Sequence, residues 1–386
     1  MTRGERAPWT EAAERVDRWI MERHCRGWDP YDALASPLVR ALAPGRWGRV
    51  AWTQLLRRSP LQLRPLLRVP QLRSSKTVAL VLQARLSLAA SAPTLADAPS
   101  IPRLVAWLEE SRAPEGGWGY PFAWANRDAH VPAHTPNAVV TAFVGHALLD
   151  AADAGVPVAE DMLHAAGTFL AERLNRLLGA DGAFCFSYTP LDRRAVHNAS
   201  VLAASLLARL AVRGPEPAWR EAALAAQRFT LAAQRDDGAW PYGTTSRNRW
   251  VDSFHTGYLL IALDQIDRSL EDDLAQAAIE RGLRFWVGTF LRPPAVAYRP
   301  GRPYPVDMHG VAHAILTLLH FREHLPDALQ RARGLAAWSL ETMCGRDGAF
   351  HYLFHGRSMN RLRYARWVQA WMLRALAELA AVERGH

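Results

Sequence analysis

Lysine is nearly missing from this chain. Lys76 stands alone among 46 Lys and Arg residues, so arginine carries the positive charge, the bias expected of a GC-rich genome. Cysteine is scarce too. Cys25, Cys185 and Cys344 are odd in number and share no CxxC spacing, which argues against a disulfide framework and for a reducing compartment. No run of 18 apolar residues occurs, so no transmembrane helix is expected. No apolar core follows the polar start at 1–17, so no secretory signal is expected and the expected location is cytoplasmic. The net charge of +9 is small for 386 residues and is read as dispersed. That disfavours a nucleic-acid partner and suits an anionic small-molecule substrate. The arginine-rich stretch 57–68 is the one place where peripheral membrane contact is considered.

What is present is a repeat. Gly-x-aromatic turns occur at Gly116-Gly-Trp118, Gly182-Ala-Phe184, Gly238-Ala-Trp240 and Gly348-Ala-Phe350, spaced 66, 56 and 110 residues apart, the last being twice 55. A degenerate copy, Tyr298-Arg-Pro-Gly-Arg-Pro-Tyr304, falls where the missing unit should be. Polar residues follow each turn: His134-Thr-Pro-Asn137, His197-Asn198, Asp252-Ser-Phe-His255, Asp307-Met-His309 and Arg363-Tyr-Ala-Arg366. Apolar helices are predicted behind them over 138–149, 199–210, 257–263, 311–319 and 368–376. More amphipathic helices are predicted between, as at 222–233 and 273–286. Paired helices at a period above 50 residues describe an all-α array of helical hairpins. An inner apolar and an outer amphipathic helix, repeated five or six times, predict a closed (α/α)5-6 toroid. Closure would bring the polar heads to one end of a central cavity.

Ahead of the repeats, 1–101 reads as an N-terminal helical segment packing on a toroid formed by 102–386. A helix is predicted over 11–24, with Trp19 and Ile20 inward, and another over 76–88, with a Pro/Ala/Ser connector at 92–101. In Gly27-Trp-Asp-Pro-Tyr-Asp32, Pro30 suits a turn, Asp29 and Asp32 suit caps, and Tyr31 is expected to project toward the site.

The helix heads supply the candidate chemistry. Candidate catalytic groups are Asp252, His255, His197, Tyr188, Asp307 and His309. Candidate substrate contacts are Trp118, Tyr120, Trp124, Arg127, His134, Asn137, Asn198, Trp240, Tyr242, Tyr364 and Arg366. A histidine at a helix N-terminus has its charged form disfavoured by the helix dipole, which suits a neutral base or a ligand. Three readings compete. In a glycan site, Trp and Tyr stack on sugar faces, Arg holds a carboxylate, and His or Tyr moves a proton. In an isoprenoid site, the cavity shapes a prenyl chain. In a metal site, His197, Asp252, His255 or His309 hold zinc. No cofactor is expected on the first two readings. Beside them stands a structural reading in which Trp118 and Trp240 only plug the toroid end.

Particular motifs carry resemblances. Gln234-x-x-x-Gly238-x-Trp240 is similar to the repeat motif of triterpene cyclases, which there ties outer turns together; the Asp-x-Asp-Asp acid of those enzymes is absent from the inner helices. Asp252-Ser-Phe-His-Thr-Gly-Tyr258 resembles a segment of protein prenyltransferase β subunits whose histidine binds zinc. The Asp-x-Cys partner of that family would fall on His197-Asn-Ala199, where no thiolate stands. As a whole, Gly27–Leu34, Ser59–Pro65, Gly117–Trp124, Thr135–Asn137, Phe186–Asp192, His197–Ala199 and Trp250–Tyr258 resemble the squalene-cyclase/prenyltransferase-like toroid proteins of bacterial polysaccharide-biosynthesis loci. That resemblance implies the toroid and a setting in envelope-glycan assembly. A more distant likeness is to glucuronyl epimerases and polysaccharide lyases, toroids that abstract a sugar C5 proton. The leading expectation is therefore an enzyme acting on an acidic sugar or lipid-linked glycan by proton abstraction. His255 would be the base, held by Asp252, with Tyr188 or His197 opposite. Arg127 and Arg366 would hold the anionic group. An isoprenoid cyclase or prenyltransferase and a non-catalytic glycan-binding assembly factor are the alternatives.

Overall fold

The computed structural model describes residues 8–43, 45–91, 100–127, 129–214 and 216–384. The stretch 1–7 and most of the connector expected at 92–101 lie outside the described residues. Six helices form an inner ring: α4 (Ser75–Ser91), α6 (Ala138–Asp153), α8 (His197–Ala211), α10 (Ser253–Leu270), α12 (Met308–His320) and α14 (Ala370–Arg384). Each packs on the next, and α14 packs back on α4, which closes the ring. Their outer partners are α5 (Ser100–Glu110), α7 (Glu160–Thr168), α9 (Pro217–Leu231), α11 (Gln276–Phe290), α13 (Ala328–Trp338) and, against α14, α1 (Pro8–Met21). The architecture is thus an α/α toroid of six pairs. The segment before residue 102 supplies the inner helix α4 and the outer helix α1. Trp19 and Ile20 of α1 are buried, as their spacing predicts.

The inner helices are buried on nearly all sides. From Ala138 to Leu149 every residue of α6 is buried, so its sequence shows no polar stripe. Three aromatic rings from alternate inner helices meet: Phe143 of α6, Tyr258 of α10 and Trp371 of α14. Their centroids lie 5.6, 5.4 and 5.7 Å apart pairwise. Rings from every second helix of a six-membered ring can touch one another only at its axis, so they plug it.

The Gly-x-aromatic turns knit the inner heads to the outer helices. Gly116 and Gly238 take φ of +97° and +89°, and a Cβ there would stand 2.6 Å from Ala165 O and 2.5 Å from Arg281 O. Only glycine fits both demands. The indoles that follow turn outward. Trp118 Nε1 donates to Leu108 O at 2.7 Å and Trp240 Nε1 to Thr230 O at 2.9 Å, each in the final turns of the preceding outer helix. Gln234 works with them, donating to Gly238 O and Ala278 O.

One excursion leaves this plan. Strands β1 (Arg26–Gly27) and β2 (Leu72–Arg73) pair antiparallel, Arg26 with Arg73 and Gly27 with Leu72. Between them the chain forms a flap containing α2 (Pro37–Leu42) and α3 (Gly45–Arg58). Ala33, Leu34, Val39, Val50, Leu56 and Val69 give the flap a small core, joined by Ala125 of the hairpin β3 (Trp124–Ala125) and β4 (His130–Val131). Arg64 is fully buried; it donates to Asp32 at 2.8 Å, to Asp29 O at 2.8 Å and to Tyr364 OH at 3.0 Å. The 57–68 stretch is therefore not uniformly a solvated arginine face.

Replacing Trp240 with Phe should cost about 1 kcal/mol through the lost hydrogen bond, and with Ala roughly 3–5 kcal/mol through the cavity. Chemical denaturation checks both. Equal costs would show that ring volume matters little at the turn.

Candidate active site

At the head of α10 one carboxylate does two jobs. Asp252 Oδ1 accepts the His255 backbone N–H at 2.9 Å, capping the helix, and Oδ2 lies 2.8 Å from His255 Nδ1. Capping fixes the carboxylate, and the carboxylate fixes the imidazole. Nε2 has no protein partner among the described residues, and the His255 side chain is 20% exposed. Tyr242, Phe254 and Trp250 surround the imidazole at 4.8, 4.1 and 5.5 Å. Tyr242 and Trp250 stack on each other at 4.2 Å, with 13° between their planes.

Asp307 repeats the arrangement at the head of α12. It accepts the His309 N–H at 3.0 Å and the Trp367 indole N–H at 3.2 Å. Burial pushes its carboxyl up to about 7, against the pull of those donors and of Arg57. His309 differs from His255: it is buried, its Nε2 lies 2.7 Å from the Tyr258 hydroxyl, and Nδ1 is unpartnered. Burial holds its imidazole well below the usual range, so it is neutral.

A wall and a roof complete the mouth. Tyr188 is half-buried, with Trp124 edge-on at 5.8 Å. Burial, with Tyr120 and Tyr242 adding to it, keeps the Tyr188 phenol well above its ordinary value and so protonated. Above, Tyr31 of the flap packs on Trp367 at 5.5 Å, and the Arg57 guanidinium lies 5.0 Å over the Tyr31 ring. Arg57 is half-buried and has no hydrogen-bond or ion-pair partner among the described residues; its charge acts on Tyr298, Tyr352 and Asp307. Below, Lys76 closes the floor. Its Nζ sits 3.7 Å from the Phe143 ring centre with no carboxylate partner among the described residues, and burial pushes the amine well below the usual lysine range.

The structure brings Asp252, His255, Tyr242, Asp307, His309, Tyr188, Tyr120 and Trp124 to this end of the ring. Several other expected residues have different work. Trp118 and Trp240 are 0% and 1% exposed and bonded outward, so neither offers a face to a sugar. They tie the turns to the outer helices and do not plug the end of the toroid. Asn137 is the N-cap of α6, its side chain accepting from Val140 N. His197 is buried against Phe229 of α9, with both ring nitrogens unpartnered, and burial lowers its imidazole to about 4. Its ring packs toward the outer helix α9. Asn198, also buried, leaves its Oδ1 without a partner. Arg127 sits exposed beside the β3–β4 hairpin. His134, exposed at φ +63°, borders a separate groove of about 970 Å³ with Trp107, Arg173 and Leu191. Arg366 is consumed by Asp29, to which it donates at 2.5 and 2.9 Å, and its guanidinium covers the Tyr120 ring. Tyr364 is fully buried under Arg64.

The alternative metal set is not gathered. His197 faces away, His309 Nε2 is taken by Tyr258, and no three His, Cys, Asp or Glu lie together in a metal-holding cluster among the described residues. Sequence reasoning missed Arg57, Trp250, Tyr298, Tyr352 and Trp367. Tyr258 carried a usable signal, since it lies three residues beyond His255 on one helical face.

No protein-family model and no curated protein sequence matches this chain. Solved structures do. An unsaturated glucuronyl hydrolase specific for heparin aligns over 97% of this chain and 98% of its own at 12% identity, with a TM-score of 0.62. A sugar epimerase from a ruminal bacterium covers 82% of this chain and 90% of its own at 11% identity, TM-score 0.62. Cellobiose 2-epimerase from Bacillus thermoamylovorans B4167 covers the same shares at 10% identity, TM-score 0.60. At such identities the likeness establishes the toroid. None of the three is a terpenoid cyclase or a prenyltransferase, so they support the toroid without the squalene-cyclase label.

Because the fold raises the Asp307 pKa, the folded chain binds the extra proton between about pH 4 and about pH 7. Stability from this group is complete below that window and is lost as pH rises through it. The stability of the wild type relative to Asp307→Asn should fall across the window, by at most on the order of 4 kcal/mol. Denaturation of both proteins at several pH values reads this directly. A pH-independent difference would place an ionised Asp307 in the fold.

Proposed function

We propose that this chain is an enzyme that acts on an acidic glycan by moving a proton at the carbon next to a sugar carboxylate. One observation carries the reading: Asp252 fixes His255 through Nδ1, its Nε2 has no protein partner among the described residues, aromatic rings surround it, and the flap carries an arginine with no ion-pair partner among the described residues. A uronate carboxylate on Arg57 would have its charge offset, which acidifies the adjacent C–H. His255 Nε2 takes that proton, and the electron pair passes into the carboxylate group. Asp252 stabilises the imidazolium that forms. The protonated Tyr188 phenol can return a proton to the opposite face, inverting the centre, or protonate a leaving oxygen on the neighbouring carbon as a double bond forms. Tyr242 and Trp250 offer sugar-stacking surface beside the imidazole. The similar toroids, a sugar epimerase and an unsaturated glucuronyl hydrolase, are in keeping with a sugar substrate. A setting in envelope-polysaccharide assembly belongs to the same proposal.

The isoprenoid alternative meets a physical obstacle. A prenyl chain needs apolar volume along the ring axis, and Phe143, Tyr258, Trp371 and Lys76 fill it. A non-catalytic binder separates from an enzyme in the next experiment.

In deuterated water, wild type should exchange deuterium into a uronate oligosaccharide at C5. His255→Ala should slow that exchange roughly 10²- to 10⁴-fold with ligand affinity and melting temperature kept. Undiminished exchange by a folded His255→Ala protein would remove His255 from the role. Arg57→Gln should weaken uronate binding about 10- to 100-fold, the worth of a charge-assisted hydrogen bond, while affinity for a neutral oligosaccharide stays the same. Equal loss for both ligands would contradict a carboxylate site at Arg57.

A further inference from the structure

The outward face of the flap is unlike the rest of the surface. Among the described residues, Leu38, Leu42, Trp47, Leu55, Leu61 and Leu66 are 38–77% exposed, and they make up most of the exposed large apolar side chains. They are patterned. Leu38 and Leu42 are four apart on α2, and Trp47, the exposed Ala51 and Leu55 follow at four-residue steps on α3. The opposite stripe of α3, Val50, Thr53 and Leu56, already supplies the flap core. The fold therefore makes no use of the outer stripe.

The charge is equally lopsided. Residues 33–70 hold seven arginines, and 33–96 contain no Asp or Glu, so the positive excess is concentrated here and not dispersed. Arg57 and Arg64 turn inward. Arg40, Arg46, Arg58 and Arg68 are exposed among the leucines, and none pairs with a carboxylate among the described residues. A symmetric contact with a second copy would set this positive patch against itself, which like-charge repulsion opposes. A surface that is apolar, tryptophan-bearing and purely basic is complementary to a lipid interface with anionic headgroups.

We propose that the outer face of the flap docks on an anionic membrane surface, with Trp47 and the exposed leucines entering the headgroup region and the arginines meeting lipid phosphates. The flap carries Tyr31 and Arg57 on its inner side, so docking would set the roof of the site at the lipid surface. A glycan carried on a lipid would be presented there. The docking itself does not rest on the proton-transfer chemistry.

Vesicle flotation of the full chain tests this. The protein should float with vesicles enriched in phosphatidylglycerol, stay behind with pure phosphatidylcholine, and release when salt is raised. The Arg46→Gln, Arg58→Gln, Arg68→Gln variant should bind anionic vesicles more weakly, about fivefold per arginine removed. Trp47→Ser, Leu55→Ser, Leu66→Ser should abolish flotation. All six positions are exposed, and unchanged melting would verify each fold. Failure of wild type to float with anionic vesicles, or flotation of both variants equal to that of wild type, would overturn the proposal. So would a concentration-dependent dimer that the serine variant dissolves without any vesicle binding.

Discussion

The packing of α14 on α4 is the constraint from which the rest follows. It joins the C-terminal helix of the chain to a helix near residue 80 and turns a row of hairpins into a ring. In an open row each apolar inner helix would show one side to water. Closure buries α6, α8, α10, α12 and α14 almost completely and forces Phe143, Tyr258 and Trp371 together on the axis. With the axis filled, polar chemistry is left only to the helix heads.

Those heads must satisfy backbone N–H groups that no preceding turn can reach. Asn137, Asp252 and Asp307 do so as caps. At α10 the cap also anchors an imidazole. The flap then decides what the mouth sees. Asp29 with Arg366, and Asp32 with Arg64 and Tyr364, hold it down through contacts between residues more than 290 positions apart, or across the flap itself. Buried pairs of this kind are weak sources of net stability but costly to break singly. They suit a roof that must sit in one place. Arg57 on that roof has no hydrogen-bond or ion-pair partner among the described residues.

Much of the fold was legible in the sequence because it repeats. The turn spacing near 55 residues, the small-residue helices and the polar heads all appear in the primary structure, and the Asp252–His255 couple is visible as a cap followed three residues later by its partner. Side-chain direction was not legible. Gly238-Ala-Trp240 has the same pattern whether the indole faces the cavity or the outer helix, and the hydrogen bond to Thr230 decides it. Arg366 reads as an anion site until Asp29, from the other end of the chain, neutralises it. Arg57 sits in an arginine-rich stretch where nothing local separates an inward guanidinium from its solvated neighbours. That α4 closes the ring and α1 covers α14 was also hidden, because the flap separates the two helices and neither carries the turn that marks the other units.

The most direct measurement is a crystal structure of the protein with a uronate disaccharide. The carboxylate should lie on Arg57, a sugar face against Tyr242 or Trp250, and the carbon next to the carboxylate within about 3.5 Å of His255 Nε2. A disaccharide seated in the outer groove beside His134, with His255 facing only water, would contradict it.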